Sequence, residues 1–238
     1  MISSRETELS KETRVSFRYY LYISDSKVDM LLPQIDPTFP RKHTSELSLS
    51  FLKIFGARRS TESSAGTERI ARLERVVRHL HDHGNLGSAD EPGQFFWGLL
   101  PMQWGPFDSH PSLVYFGGRT EHTIVGLGGS CHHMLGSAVD PTPGHVSTTS
   151  LLPSLLDGLA THPEIKDVFG AMGDGPEEAE RAALQVVHCA NADLRGPAQN
   201  VEFVAKRLLH GPSPYPEGDP HGDISVLLGS PLYVASVD

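Results

Sequence analysis

The sequence lacks the features that mark disulfide-stapled, secreted or membrane-spanning proteins. Its only cysteines are Cys131 and Cys189, which are too few for a disulfide framework and are expected to stay reduced. No apolar run approaches the ~20 residues that a membrane-spanning helix needs. The N-terminal segment is polar and has no apolar signal-peptide core. We therefore expect a cytoplasmic protein with no membrane partner.

Positive charge is also scarce. The chain has 20 lysine and arginine residues against 29 aspartate and glutamate residues, so its formal net charge is −9. A protein with this excess of negative charge is not expected to bind nucleic acid, whose phosphates attract basic surfaces. The 38% of hydrophobic residues over 238 positions is typical of a globular protein. We predict a flexible tail over residues 1–16 and a single globular domain over residues 17–238.

Hydrophobic periodicity predicts a mixture of strands and helices. Alternating or β-branched segments predict strands at 17–24, 47–55, 95–104, 112–116, 122–127 and 183–190. Helical spacing and capping residues predict helices after Ser24, over 67–83, over 150–160, from Pro176 and over 197–210. Gly229-Ser230, between two apolar runs, predicts a hairpin turn. We expect an α+β (mixed α/β) fold with a mostly antiparallel sheet of about seven or eight strands and three or four helices.

A glycine-rich segment, Gly126 to Ser130, follows one predicted strand. If Gly128, Gly129 and Ser130 form a turn, their backbone N–H groups can hold an oxyanion or a phosphate, with His132 close by. No Walker lysine and no complete dinucleotide fingerprint accompany these glycines. The alternative interpretation is a tight turn with a purely structural role.

A second group of polar residues follows the first predicted strand. Asp25 and Lys27 stand where this strand passes into a helix, and such transitions are favoured positions for ligands in α/β proteins. The same residue types also cap helices, so a structural role for Asp25 remains the alternative. We include Asp25 and Lys27 among the candidate ligand-binding residues.

Thiol and imidazole groups form the third candidate set. Cys131 and His133, with His122 and His188 from other predicted strands, have the side chains that zinc prefers, although their spacing matches no known zinc motif. Cys131 paired with a histidine is also a potential nucleophile. This set supports the hypothesis of a hydrolytic or metal-assisted enzyme centred on Cys131, His132 and His133.

Four segments together resemble an uncharacterised family of actinomycete proteins. They are YYLYISDSKVDML at 19–31, LVYFGG at 113–118, VGLGGSCHHMLG at 125–136 and VLLGSPLYVA at 226–235. The resemblance implies an intracellular, single-domain protein of actinobacterial type, and it assigns no activity, cofactor or site residue.

The lack of a complete catalytic signature sets the functional expectation. We expect a cytoplasmic ligand-binding or regulatory module that recognises a small anionic ligand or a protein partner. The hydrolytic or metal-assisted enzyme described above is the alternative hypothesis.

Overall fold

The computed structural model describes residues 17–36, 58–83, 86–106, 112–136, 156, 175–215 and 224–237. These residues contain seven strands, three α-helices and one 3-10 turn. Their order along the chain is β1 (Arg18–Ile23), α1 (Asp25–Ile35), α2 (Arg58–Asp82), β2 (Leu86–Ser88), β3 (Phe95–Pro106), β4 (Leu113–Arg119), β5 (Thr123–Ser130), the 3-10 turn (Cys131–His133), α3 (Pro176–Asp193), β6 (Gln199–Pro212) and β7 (Ser225–Val237). The predicted α+β class is confirmed.

Strands β3 to β7 close into a five-stranded barrel. β4 pairs antiparallel with β3 and β5, and β5 lies parallel to β7. β6 pairs antiparallel with both β7 and β3, which completes the ring. β1 extends the sheet beside β7, and β2 lies parallel to β3. The described strands therefore form a mixed sheet with five antiparallel and two parallel pairings, so the sheet is mostly but not wholly antiparallel.

The barrel interior is filled by large apolar side chains at alternate positions along each strand. In β3, Phe96 and Met102 are fully buried, whereas Trp97 and Leu99 on the other face are 47% and 57% exposed. The interior also contains the fully buried rings of Phe116 and Phe203. This alternation follows from the two-residue period of a strand, and it separates an apolar lumen from the outer face.

Helices α1 and α2 cover one side of the sheet. Val28 and Leu32 of α1 and Leu73 and Val76 of α2 are buried together against the strands, including Tyr233 of β7. α2 begins at Arg58, nine residues before the predicted start at Thr67, so most of the connector predicted at 56–66 is helical. None of the described helices has both the length and the apolar character needed to cross a membrane.

The helix predicted over 197–210 is wrong, because this segment forms β6. Its apolar residues fit both periods: Val201, Phe203 and Ala205 point into the barrel, while Val204 packs under the helices on the opposite face. A strand that is buried on both faces has a nearly continuous apolar run, which periodicity alone does not distinguish from a helix. Pairing with β3 on one edge and β7 on the other decides in favour of the strand.

The strand predicted over 183–190 is also wrong, because these residues lie within α3. Ala183, Val186, Val187 and Ala190 are buried. Their positions i, i+3, i+4 and i+7 form one face of a helix, and α3 places that face on the barrel. The short helix predicted from Pro176 does begin at that residue, but it runs for 18 residues and includes the segment 183–190.

Gly229-Ser230 is not a hairpin turn, since β7 runs through it without interruption. A Cβ atom at Gly229 would lie 2.5 Å from Cζ of the buried Phe96, so this glycine makes room for an aromatic ring. The tail predicted at 1–16, the strand predicted at 47–55 and almost all of the helix predicted at 150–160 lie outside the described residues.

Gly129 provides a test of packing in β5. A Cβ atom here would overlap the hydroxyl of Tyr22 and lie 2.8 Å from its Cζ. Because the Tyr22 ring is fully buried among other core side chains, we expect Gly129→Ala to lower the free energy of unfolding by about 1–3 kcal/mol in urea denaturation. Adding Tyr22→Phe, which removes the overlapping oxygen, should restore part of this loss.

Gly105→Ala in β3 is the matched control. A Cβ atom at Gly105 meets no described atom within 4 Å, so its stability should be unchanged or higher by up to ~1 kcal/mol. Equal losses for Gly129→Ala and Gly105→Ala would show that the Tyr22 overlap is not the cause.

Candidate functional site

The predicted anion-binding turn at Gly128 and Gly129 is wrong. Both glycines lie inside β5, where Gly128 pairs with Tyr115 and Gly129 with Val114 of β4. Because both glycines are paired within the sheet, they form no turn that could hold an anion. Ser130 ends the strand, and its Oγ accepts a hydrogen bond from the His132 N–H at 3.3 Å, which caps the 3-10 turn.

The start of α1 and the end of β5 meet where β7 changes neighbours. The first part of β7 pairs with β5 as far as Gly229, and the last part pairs with β1 from Tyr233 onward. Between them, the Leu232 carbonyl accepts a hydrogen bond from the Ser24 N–H at 2.8 Å. The break in neighbours therefore places the first turn of α1 beside the 3-10 turn. We define the Lys27 site here as Tyr22, Ser24, Ser26, Lys27 and His133.

Lys27 is the cation of this site. Its Nζ donates to the Ser24 Oγ and to the Pro231 carbonyl, both at 3.2 Å. Burial lowers the pKa of Lys27 to about 8, and the positive charge of Lys206 acts in the same direction. No carboxylate pairs with Lys27 in the part of the chain that the structure describes. Its positive charge is therefore partly desolvated, and none of the described residues supplies a counter-charge to it.

His133 connects the 3-10 turn to α1. Its Nε2 lies 3.3 Å from the Ser26 Oγ, and its ring packs edge-on against Tyr22. Burial lowers the pKa of His133 to about 4, helped by the charge of Lys27. The imidazole is therefore neutral at pH 7 and can accept or donate one hydrogen bond at Nε2, depending on its tautomer.

The Tyr22 hydroxyl lies at the inner end of the site. The side chain is fully buried, and its hydroxyl lies near the Ser24 side chain and the Ser130 backbone, which both counter the effect of burial on its pKa. Burial raises the pKa of this phenol well above its usual range.

Asp25 does not neutralise Lys27, because it pairs with Arg69 of α2. The Arg69 Nε donates to Asp25 at 2.8 Å, and the same guanidinium donates to the Ile23 carbonyl at 2.9 Å. This ion pair fixes the first turn of α1 against α2. The result favours the structural interpretation of Asp25.

The four predicted metal ligands are not brought together. His122 and Cys131 flank opposite ends of β5, whose eight residues span roughly 26 Å at about 3.3 Å per residue. His188 lies on α3, and His133 belongs to the Lys27 site. The described residues contain no group of three or more histidine, cysteine or acidic side chains that could hold a metal ion. Burial also raises the pKa of Cys131, which disfavours its thiolate.

His188 lines a separate cleft of about 420 Å³ between α3 and the strands β3 and β4, together with Arg119. Its Nδ1 lies 3.3 Å from the Ser213 Oγ. Burial and the charge of Arg119 lower the pKa of His188. His132, in contrast, is exposed beside the Lys27 site and contributes its N–H to the Ser130 cap.

Sequence reasoning placed Lys27 among the candidates but missed Ser26 and Tyr22. Ser26 was visible only as capping chemistry, and Tyr22 only as part of an aromatic strand. The signal that connects them is the distance of each to His133, which is more than a hundred residues away along the chain. A local stretch of sequence carries no information about the distance between residues so far apart in the chain.

Lys27 should produce a distinct pH dependence of stability. Its pKa is about 8 in the folded protein against an ordinary value of 10.5, so between these pH values the unfolded chain binds more protons. Lys27 therefore makes a contribution to the free energy of unfolding that rises with pH across this interval, whereas the tyrosines whose pKa values are raised lower the total as pH 10 is approached. In urea denaturation series at pH 7.5 and 9, we expect the free energy of unfolding to change more favourably for the wild type than for Lys27→Met.

Lys206→Met removes the same charge from an exposed position and is the control. Its free energy of unfolding should change between pH 7.5 and 9 much as that of the wild type does, since Lys27 still titrates. A Lys27→Met protein with the same pH dependence as the wild type would show that Lys27 is not buried as described.

Comparisons with known proteins give one result. No match was found among the curated proteins or among the solved structures. A family model described as a family of unknown function, DUF7019, matches residues 18–238. Because this match covers nearly the whole chain, the protein belongs to the DUF7019 family.

Proposed function

We propose that the protein is a recognition module for a small anionic ligand, which binds at the Lys27 site. The observation that supports the proposal is the partly buried Lys27 ammonium, which has no carboxylate partner among the described residues. Transferring a cation from water into a protein is unfavourable unless a counter-charge accompanies it. A bound anion would supply that counter-charge.

The surroundings of Lys27 also favour an anion. Lys206 adds a second positive charge close enough to affect the pKa of Lys27. The negative charge of Asp25 is offset by Arg69, and His133 is neutral at pH 7. The local balance is therefore positive, although the whole chain carries a net charge of −9. Such a local reversal of sign attracts anions to one place on an otherwise acidic protein.

The first turn of α1 contributes hydrogen-bond donors. The N–H groups at the start of a helix have no acceptor within the helix, and the Ser24 side chain does not cap them. The helix dipole adds a partial positive charge at the same end. Together with the Lys27 Nζ and the exposed Ser26 Oγ, these donors suit a carboxylate, a phosphate or another small oxyanion.

We place this function in the cytoplasm. Cys131 and Cys189 are both free thiols in the structure, and such thiols stay reduced in that compartment. The proposal does not require a metal, since Lys27 and backbone donors provide the charge and the hydrogen bonds.

Anion titrations test the proposal directly. We expect calorimetry at pH 7.5 to detect binding of sulfate, and Lys27→Met to weaken it by at least about tenfold, because a hydrogen bond to a charged group contributes roughly 1.5–3 kcal/mol. Binding should also weaken between pH 7.5 and 9.5 as Lys27 loses its proton. Sulfate keeps the same charge over this range, so the change would report the protein alone.

Two further measurements sharpen the result. Lys206→Met should weaken sulfate binding much less than Lys27→Met, since Lys206 acts only at a distance. Acetate, titrated at equal ionic strength, distinguishes a preference for planar carboxylates from one for tetrahedral anions. Equal affinity of wild type and Lys27→Met for both anions would overturn the proposal.

A further inference from the structure

We infer that Ser26 is the nucleophile of an acyl-transfer reaction, namely the hydrolysis of a small ester or amide at the Lys27 site. This goes beyond anion recognition, because it concerns a covalent step on an uncharged carbonyl group. The same side chains are involved, but the reaction does not require that a free anion binds tightly.

A chain of close polar contacts connects Ser26 to Lys27. The Lys27 Nζ lies 3.2 Å from the Ser24 Oγ, and the Ser24 Oγ lies 3.4 Å from the Ser26 Oγ. At its exposed end, this chain of contacts continues from the Ser26 Oγ to the His133 Nε2, which lies 3.3 Å away. These distances lie at or above the upper end of the usual range of about 2.5–3.2 Å, so proton transfer along the chain of contacts requires that they shorten when substrate binds.

The two serines in this chain of contacts differ in burial, and this difference gives the proton transfer a direction. Ser24 is fully buried, whereas Ser26 is exposed. A substrate can therefore reach the Ser26 Oγ, while Ser24 passes a proton inward to Lys27. A serine oxygen is a weak nucleophile unless a neighbouring base removes its proton.

Lys27 has the proton affinity that this role needs. Burial brings its pKa to about 8, so a substantial fraction is neutral in mildly alkaline solution and can accept a proton. A base whose pKa lies near the working pH is the most efficient. His133 has a much lower pKa, of about 4, and we assign it the positioning of the Ser26 hydroxyl.

Donors for the developing oxyanion lie in the same place. Ser26 is the second residue of α1, and the Ser24 side chain does not cap the N–H groups of this first turn. When a carbonyl carbon is attacked, its oxygen becomes negative, and fixed backbone donors stabilise that charge. The Lys27 ammonium that forms during attack adds a positive charge nearby.

The step balances without any further reactant except water. The Ser26 Oγ forms a bond to the carbonyl carbon, the Ser26 proton passes to Ser24, and the Ser24 proton passes to Lys27. The C–O or C–N bond of the leaving group then breaks, and the alcohol or amine takes the proton back along the same chain. Water hydrolyses the acyl-Ser26 ester in a second round, which releases a carboxylic acid.

A fluorophosphonate probe tests the inference on the full chain. The Ser26 oxygen should displace fluoride, and mass spectrometry should locate the phosphonyl group on Ser26. Labelling should be lost in Ser26→Ala, and its rate in the wild type should rise between pH 6.5 and 9 with a midpoint near 8. No adduct on the wild type, or an adduct on another residue, would overturn the inference.

Two variants separate this inference from anion recognition. Lys27→Arg keeps the positive charge but cannot give up its proton at these pH values, so it should bind sulfate more tightly than Lys27→Met does and lose the pH-dependent labelling. Ser26→Ala removes one donor of the Lys27 site, so it should weaken sulfate binding less than Lys27→Met does while abolishing labelling. If the probe does not label the wild type while sulfate binds, the covalent step is wrong and the anion-recognition proposal stands. If the probe labels Ser26 while sulfate does not bind, the covalent step stands and the anion-recognition proposal is wrong.

Ser213 offers a matched control for serine–histidine proximity alone. Its Oγ lies 3.3 Å from the His188 Nδ1, the same separation as between Ser26 and His133, but no lysine contacts it among the described residues. Ser213→Ala should leave labelling unchanged. Labelling of Ser213 in the wild type at the rate of Ser26 would show that the lysine contributes nothing.

Discussion

The change of neighbours along β7 is the constraint on which the rest of the structure depends. β6 accompanies nearly the whole of β7 on one edge, whereas the other edge belongs first to β5 and then to β1. The pairing of β7 with β5 closes the barrel, and the pairing of β7 with β1 attaches β1 and, through it, α1. Residues 230–232 lie between the two neighbours, so the carbonyls of Pro231 and Leu232 accept hydrogen bonds from Lys27 and Ser24 instead. One topological feature thus closes the core and creates the site.

The electrostatics of the site follow from that placement. Lys27 is anchored by neutral oxygens of Ser24 and Pro231 and has no carboxylate partner among the described residues, because Asp25 is held by Arg69. A cation in this condition can respond in two ways: it can bind an anion, or it can lose its proton and act as a base. The two proposals use these two protonation states of one side chain. An acyl-transfer reaction that ends in a carboxylate would use both.

The segment from Gly126 to Ser130 shows how a motif can mislead. Glycines in this number suggested a phosphate-binding turn, yet they form a buried strand. A Cβ at Gly126 would overlap the Tyr115 hydroxyl, and one at Gly129 would overlap that of Tyr22. The glycines are therefore needed because large tyrosines of neighbouring elements pack across the strand. Their contribution to the site is indirect, since they allow Tyr22 to reach Ser24 and His133.

The sequence by itself determined the α+β class, the strands β1 and β3 to β5, and the helix that begins after Ser24, because each has a clear period and clear end signals. It also identified Lys27 as a candidate. Tertiary structure decided β6 and the unbroken β7, since apolar runs buried on both faces carry no distinctive period, and it extended the helix that begins at Pro176 through the apolar run 183–190. It also decided that His133 meets Ser26 while His122 and His188 lie elsewhere. Distances between residues far apart in the chain depend on strand pairing, and pairing is a property of the whole sheet rather than of any local segment.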